Sequence, residues 1–288
     1  MPQEVDEDLF NWIKTSHVHC RNGDSEKCFD LGKFYLKGTE GFKPNIDYAK
    51  RYLEMGCDAG SGRACLVLSS LYNQAENIQE AQMYFAKAQQ QFIKKCQNRD
   101  ANSCLLFALN ILGSSTDSHE DYPRAIQALE QGCDLGDTSC CTQIGNILRS
   151  EDHPYTDQPR AKKFLEKGCN EGDVDACYNC AELMEDNEAL RFLSKQESKI
   201  RSKYQKSCDN GSHEACTTLG SFYLSIQKYS KAISVLQKPC EEKNAEACGI
   251  IGWAYSAMEK PEEANQAFIR ACELGSSVAC QFVNQEKE

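Results

Sequence analysis

No stretch of this 288-residue chain stays apolar for the roughly 18 residues or more that a bilayer-crossing helix requires, so no membrane insertion is expected. Positive charge is also scarce. Thirty-two Lys and Arg stand against 43 Asp and Glu, giving a formal charge of -11 and a pI near 5.1. That balance argues against nucleic acid as a partner, since phosphate binding draws on clustered cations; a basic peptide or protein fits it better. Histidine occurs only five times, too few for zinc sites with paired histidines to recur along the chain. There is no glycine-rich phosphate loop, and the carboxylates are too scattered to single out a pair. The opening residues, MPQEVDEDLFNWIKTSHVHC, carry neither the basic and apolar segments of a secretory leader nor an Arg-rich transit pattern.

Cysteine, in contrast, is plentiful and regular. Sixteen of the 18 cysteines fall into pairs with one spacing: Cys20/Cys28, Cys57/Cys65, Cys96/Cys104, Cys133/Cys141, Cys169/Cys177, Cys208/Cys216, Cys240/Cys248 and Cys272/Cys280. The pairs begin 37, 39, 37, 36, 39, 32 and 32 residues apart, a self-similarity that marks a helical solenoid. Aligned on the second cysteine, an apolar group follows at offset 3 (Leu31, Leu68, Phe107, Ile144, Cys180, Leu219, Ile251, Val283). A small residue follows at offset 4 in most units (Gly32, Ser69, Ala108, Gly145, Ala181, Gly220, Gly252), and a large one at offset 7. Offsets 0, 3, 4 and 7 share one helix face. Upstream of each first cysteine from the second pair onward, a column of alanines with one exception, Ile200, and a column of Leu, Phe or Tyr lie eight and four residues back, marking a second buried stripe.

The corner between paired cysteines reads as a stop followed by a start. Glycine stands three after the first cysteine in six of eight units, with Arg99 and Lys243 departing, which suits the left-handed residue that ends a helix. A helix-capping residue follows every time: Asp24, Ser61, Asp100, Asp137, Asp173, Ser212, Asn244 or Ser276. Adjoining turns at so short a corner can bring two cysteines within disulfide reach, and each bridge would contribute roughly 2.5 kcal/mol. Small apolar filler and zinc ligation are the alternatives; disulfides are the favoured reading. Cys140 and Cys180 fit the alignment as packing residues, at positions held elsewhere by alanine and leucine.

The expected fold is all-α: about seven helical hairpins over residues 20 to 275, capped by a half-repeat in residues 1 to 19 and a closing helix in 276 to 288. Residues 186 to 207 lack the usual loop and are expected to extend a helix.

The C-x-x-L-G-x-x-Y face, the loop glycines Gly38 and Gly41 with Asp47, and the A-x-x-x-[LF]-x-x-G-C ending resemble Sel-one-like repeats, relatives of the tetratricopeptide repeat. The final unit (Ile251, Gly252, Tyr255, Ala264, Phe268, Ala271) also follows the tetratricopeptide offsets, and the paired cysteines resemble the Helicobacter cysteine-rich branch. A cytochrome c oxidase assembly factor of the mitochondrial intermembrane space is similar. The resemblance implies a disulfide-stapled, right-handed α/α superhelical solenoid with a concave groove. It also implies two activities to test, penicillin binding with weak β-lactam hydrolysis and support of respiratory-complex assembly.

Chemistry of that kind has little in the sequence to carry it. Ser225-Ile-Gln-Lys228 matches only the first element of a serine β-lactamase, with no Lys-Thr-Gly after it. His17-x-His19-Cys20 lacks further ligands for a metal clip. No catalytic residue, metal or cofactor is expected, and the favoured function is a monomeric, non-enzymatic scaffold for a protein or peptide. By analogy with tetratricopeptide modules, its groove is lined by Phe29, Lys33, Leu66, Leu105, Asn146, Tyr178, Glu182 and Trp253, Trp253 being either a peptide anchor or an inter-repeat packing residue. Regular cysteines point to an oxidising compartment, periplasmic or extracellular, with the intermembrane space as the alternative. The missing leader then calls for a processed chain, a leaderless route, or thiols that stay reduced.

Overall fold

The computed structural model describes residues 7–39, 42–114, 121–150 and 154–283. Gly41 of the expected loop, and residues 1–6 and 284–288 of the expected terminal caps, lie outside the described residues. Sixteen helices and no strand are found among the described residues, an isolated bridge between Thr39 and Phe42 apart. The chain divides into two compact units, Met1–Gly136 and Asp137–Glu288. The first holds α1 (Glu7–Arg21), α2 (Ser25–Lys37), α3 (Ile46–Asp58), α4 (Gly62–Gln74), α5 (Ile78–Gln97), α6 (Ala101–Ser114) and α7 (Asp121–Asp134). The second holds α8 (Thr138–Arg149), α9 (Gln158–Asn170), α10 (Val174–Ala181), α11 (Asp186–Asp209), α12 (His213–Ser225), α13 (Tyr229–Glu241), α14 (Ala245–Ala257), α15 (Pro261–Glu273) and α16 (Ser277–Val283). Within each unit, helices pack on partners one or two places along the chain, the contact pattern of a repeat array. The expected extension is present: α11 runs unbroken for 24 residues.

Every corner turns through a left-handed residue. Gly23, Gly60, Gly136, Gly172, Gly211 and Gly275 have φ between 82° and 98°, and Arg99 and Lys243, where glycine is missing, still adopt 68° and 69°. The hydrogen bonds are those of a Schellman ending. At the first corner, Gly23 N–H donates to the Cys20 carbonyl at 2.9 Å and Asp24 N–H to that of His19 at 3.0 Å. The same pair of bonds recurs at Lys243 and Asn244, to Cys240 at 3.1 Å and Pro239 at 3.0 Å. The residue that closes one helix then opens the next. Ser61, Asp137, Asp173, Ser212, Asn244 and Ser276 each accept the N–H three residues on through their side chains, while Asp24 accepts those of Glu26 and Lys27.

This doubling places the first cysteine in the last turn of one helix and the second in the first turn of the next. Seven pairs are disulfides with Cα atoms 4.6 to 4.8 Å apart, and Cys133 and Cys141 are disulfide-bonded as well. The sulfurs are joined to one another rather than gathered round an ion or left as filler. Most are core atoms: Cys28, Cys65, Cys104, Cys169, Cys177 and Cys248 are fully buried. Cys140 and Cys180 remain outside the bridges and are buried. Burial pushes their thiols up to about 12 and about 11 respectively, which suits packing rather than reactivity.

Hairpins close through the small residue at offset 4. A Cβ on Gly32 would lie 2.5 Å from Leu53 Cγ, one on Gly220 2.4 Å from Leu236 Cδ1, and one on Gly252 2.6 Å from Phe268 Cε1. Each leucine or phenylalanine comes from the upstream column of the following cysteine pair and presses on the facing helix backbone. Ala49, Ala88, Ala125, Ala161 and Ala232 are fully buried, and so is Ile200, the one large residue in the alanine column.

Two outcomes are expected. Alkylation of the denatured chain should modify two thiols without reductant and 18 with it, as read by intact mass; more than two before reduction would mean open corners. Because the left-handed region costs an L residue roughly 1–2 kcal/mol, against about 0.5–1 kcal/mol of entropy for glycine, Lys243→Gly should raise the urea midpoint slightly. Gly211→Ala, which meets no atom within 4 Å, should lower it by the left-handed penalty alone.

Candidate functional site

With offsets 0, 3, 4 and 7 buried or half-buried, each first helix of a hairpin keeps offsets 1 and 5 for other work. In the first unit these positions are largely occupied by the protein itself. Phe29 on α2 is 4% exposed, capped by the Arg63 guanidinium 4.4 Å from its ring centre and by Lys33 Nζ at 5.4 Å. Arg63 in turn meets Glu26 at 3.4 Å. Leu66 is half-buried and lines an open cleft of about 450 Å³ with Ser69, Ser70, Ile78 and Phe85. Leu105 is half-buried on α6.

In the second unit the same positions build a polar row across α8 and α10. Asn146 Oδ1 accepts from Asn179 Nδ2 at 2.7 Å and from Arg149 Nε at 3.2 Å. The Arg149 guanidinium also pairs with Glu182. Asn146 and Glu182 are thus joined through one arginine, with Tyr178 one turn before Glu182 on α10. Burial pushes the Tyr178 phenol up to about 12, and its hydroxyl is screened from solvent. Arg149 and Asn179 were not among the residues singled out from the sequence. They sit at offsets 8 and 2, outside the recurring columns; spacing from Asn146 could find Arg149, three residues on along the same helix, but no local signal finds Asn179.

Trp253 on α14 is 39% exposed. Its ring stands edge-on to Phe268 at 5.3 Å and to Phe282 at 4.6 Å, so one part packs on α15 and α16 while another meets solvent.

The residues weighed for hydrolysis are otherwise engaged. Ser225 Oγ donates to the Phe222 carbonyl at 2.8 Å, a bond back into its own helix. Lys228 Nζ pairs with Glu197 on α11, as does Lys231 Nζ at 2.7 Å. His17 Nδ1 meets the Tyr52 hydroxyl at 2.8 Å, and Cys20 is in its disulfide. Among the described residues, no group of three or more His, Cys, Asp or Glu is placed to hold a metal ion. None of the described helices is long and apolar enough to cross a membrane.

Residues 245–274, which span α14 and α15, match the tetratricopeptide repeat family model. Comparison with curated proteins gives no match. Among solved structures, the chain is similar to a protective antigen of uropathogenic Escherichia coli displaying an SLR fold, at 19% identity and TM-score 0.48, over 95% of this chain and 58% of that one. It is similar to a Sel1 repeat protein from Oxalobacter formigenes at 17% identity and TM-score 0.43, over 96% and 90%. A tetratricopeptide repeat protein from Parabacteroides merdae is similar at 13% identity and TM-score 0.42, over 90% and 97%. The chain spans little more than half the length of the E. coli antigen.

The Glu197 junction has a calculable pH response. Hydrogen bonds from Lys228 and Lys231 hold its carboxyl below the usual carboxylate range. A lowered folded-state value contributes stability above the unfolded value near pH 4.3 and loses it as pH falls through the folded value. Glu197→Gln should therefore lower stability at pH 7 by about 1 kcal/mol. The gap to the parent should close in strongly acidic urea titrations; a gap that persisted there would mean packing, not charge.

Proposed function

We propose that this chain, a repeat protein of the tetratricopeptide and Sel-one-like type, is a protein-interaction scaffold that holds an extended peptide segment of a partner along the first helices of its hairpins. The observation that carries this reading is the row formed by Asn146, Asn179, Arg149 and Glu182. Asn146 Oδ1 is doubly engaged by Asn179 and Arg149, which turns the Asn146 amide nitrogen and the Asn179 amide oxygen to other partners. A donor and an acceptor side by side match the alternating carbonyl and N–H of a peptide main chain. Trp253 supplies an aromatic surface for a side chain of the same segment. In the first unit, Lys33, Leu66 and Leu105 offer a surface of that unit alone, Phe29 being covered by Arg63.

Oxidised corners fit an oxidising compartment. Of those, we favour the periplasm or the extracellular space over the intermembrane space; fractionation of the native host decides between them. The β-lactam reading has no observation in its favour, since the hydroxyl and amine it needs are bound elsewhere.

Panning a random peptide library on the immobilised, oxidised protein should enrich peptides whose affinity falls roughly tenfold or more in an Asn146→Ala/Asn179→Ala variant, two lost hydrogen bonds of about 1 kcal/mol each. Trp253→Ala should weaken the same peptides. Peptides bound equally well by all three proteins would remove the groove assignment.

A further inference from the structure

Of the eight cysteine corners, one differs in chemistry: the stretch between Cys208 and Cys216, DNGSHEA, is the only one that contains a histidine. It also differs in access. Both cysteines line a cleft of about 330 Å³ between α11, α12 and α13, together with Gln205, Asp209, His213, Lys238 and Glu242. Cys208 is partly exposed and Cys216 is 3% exposed, so an incoming group meets Cys208 first. His213 Nε2 lies 2.7 Å from Glu242 Oε2, and this bond holds the Glu242 carboxyl below the usual range. A ring that donates its Nε2 proton to a carboxylate keeps the lone pair on Nδ1.

We propose that the Cys208–Cys216 bridge is a thiol-exchange site, opened by a low-molecular-weight thiol that enters this cleft, attacks Cys208 Sγ and gives its proton to His213. In that step the incoming thiolate forms a new S–S bond to Cys208 while the Cys208–Cys216 bond breaks. The electron pair of the broken bond leaves as the Cys216 thiolate, which can take the proton back from the imidazole. One disulfide and one thiol are present before and after, so no outside oxidant or reductant is consumed. Cys216 is suited to leave, because it sits in the first turn of α12, where the helix N-terminus favours a thiolate. Fully buried bridges such as Cys169–Cys177 lack the access. Cys272–Cys280, at the end of the array, has both cysteines partly exposed but no histidine between them. That corner separates exposure from proton transfer.

The test exposes the full-length oxidised protein to reduced glutathione under native conditions, quenches with acid and N-ethylmaleimide, and maps adducts at all eight corners over time by peptide mass spectrometry. Glutathione should appear on Cys208 and maleimide on Cys216, ahead of the buried corners. His213→Gln, a change at an exposed helix start verifiable as folded by circular dichroism, should slow that corner roughly tenfold, a modest proton-transfer effect, and leave Cys272–Cys280 unchanged. The proposal is overturned if glutathione adds to Cys216, if the fully buried corners open as fast, or if His213→Gln leaves the Cys208 rate where it was.

Discussion

The structure depends on a corner three residues long that ends one helix and starts another. A left-handed residue lets the outgoing helix close its last carbonyls, and the next residue serves both as the final donor of that closure and as the cap of the incoming helix. Once both jobs fall on adjacent residues, the geometry of the two cysteines follows. They face each other with Cα atoms 4.6 to 4.8 Å apart at each corner measured. The bridge thus inherits its geometry from the corner. Its contribution is to deny the unfolded chain the freedom to open there, which matters where each helix leans mainly on its immediate neighbours.

Corners were legible in the sequence because their demands are local and repeated. Six glycines and eight capping residues at fixed positions specify the turn, and Arg99 and Lys243 adopt it anyway because both flanking helices impose it. Helix faces were legible for the same reason, down to Ile200 occupying the alanine column at full burial. The polar row was only half legible. Asn146 and Glu182 lie on recurring offsets, whereas Asn179 and Arg149 gain their meaning from a meeting of α8 and α10 that spans 33 residues of chain between Asn146 and Asn179. His213 could be noticed as the lone histidine within a cysteine pair, but its partner Glu242 comes from another helix 29 residues on. No local period announces such a pair.

The small residue at offset 4 links packing to function. Where a leucine or phenylalanine presses on Gly32, Gly145, Gly220 or Gly252, the hairpin closes so tightly that those faces are committed to the core. Variation is then confined to the offsets that remain. The two units use them differently: Phe29 is covered by Arg63 in the first, whereas Asn146 and its neighbours form a hydrogen-bonded row in the second. The same scaffold rule yields a closed patch in one place and a polar surface in another.

Such a scaffold favours binding over reaction for a geometric reason. In the second unit, α8 and α10 set their spare side chains in a row, while acid–base or nucleophilic chemistry needs groups from several directions to converge on one atom. Ser225 and Lys228 illustrate this: each turns to a nearby partner, the Phe222 carbonyl or the Glu197 carboxylate, instead of to the other. A row, in contrast, suits a ligand that is itself linear. Binding such a ligand requires ordering on both sides of the interface, and a surface already fixed by covalent corners has less left to order. On the proposed reading, the cysteines that hold the repeats in register would act on recognition without touching what is recognised.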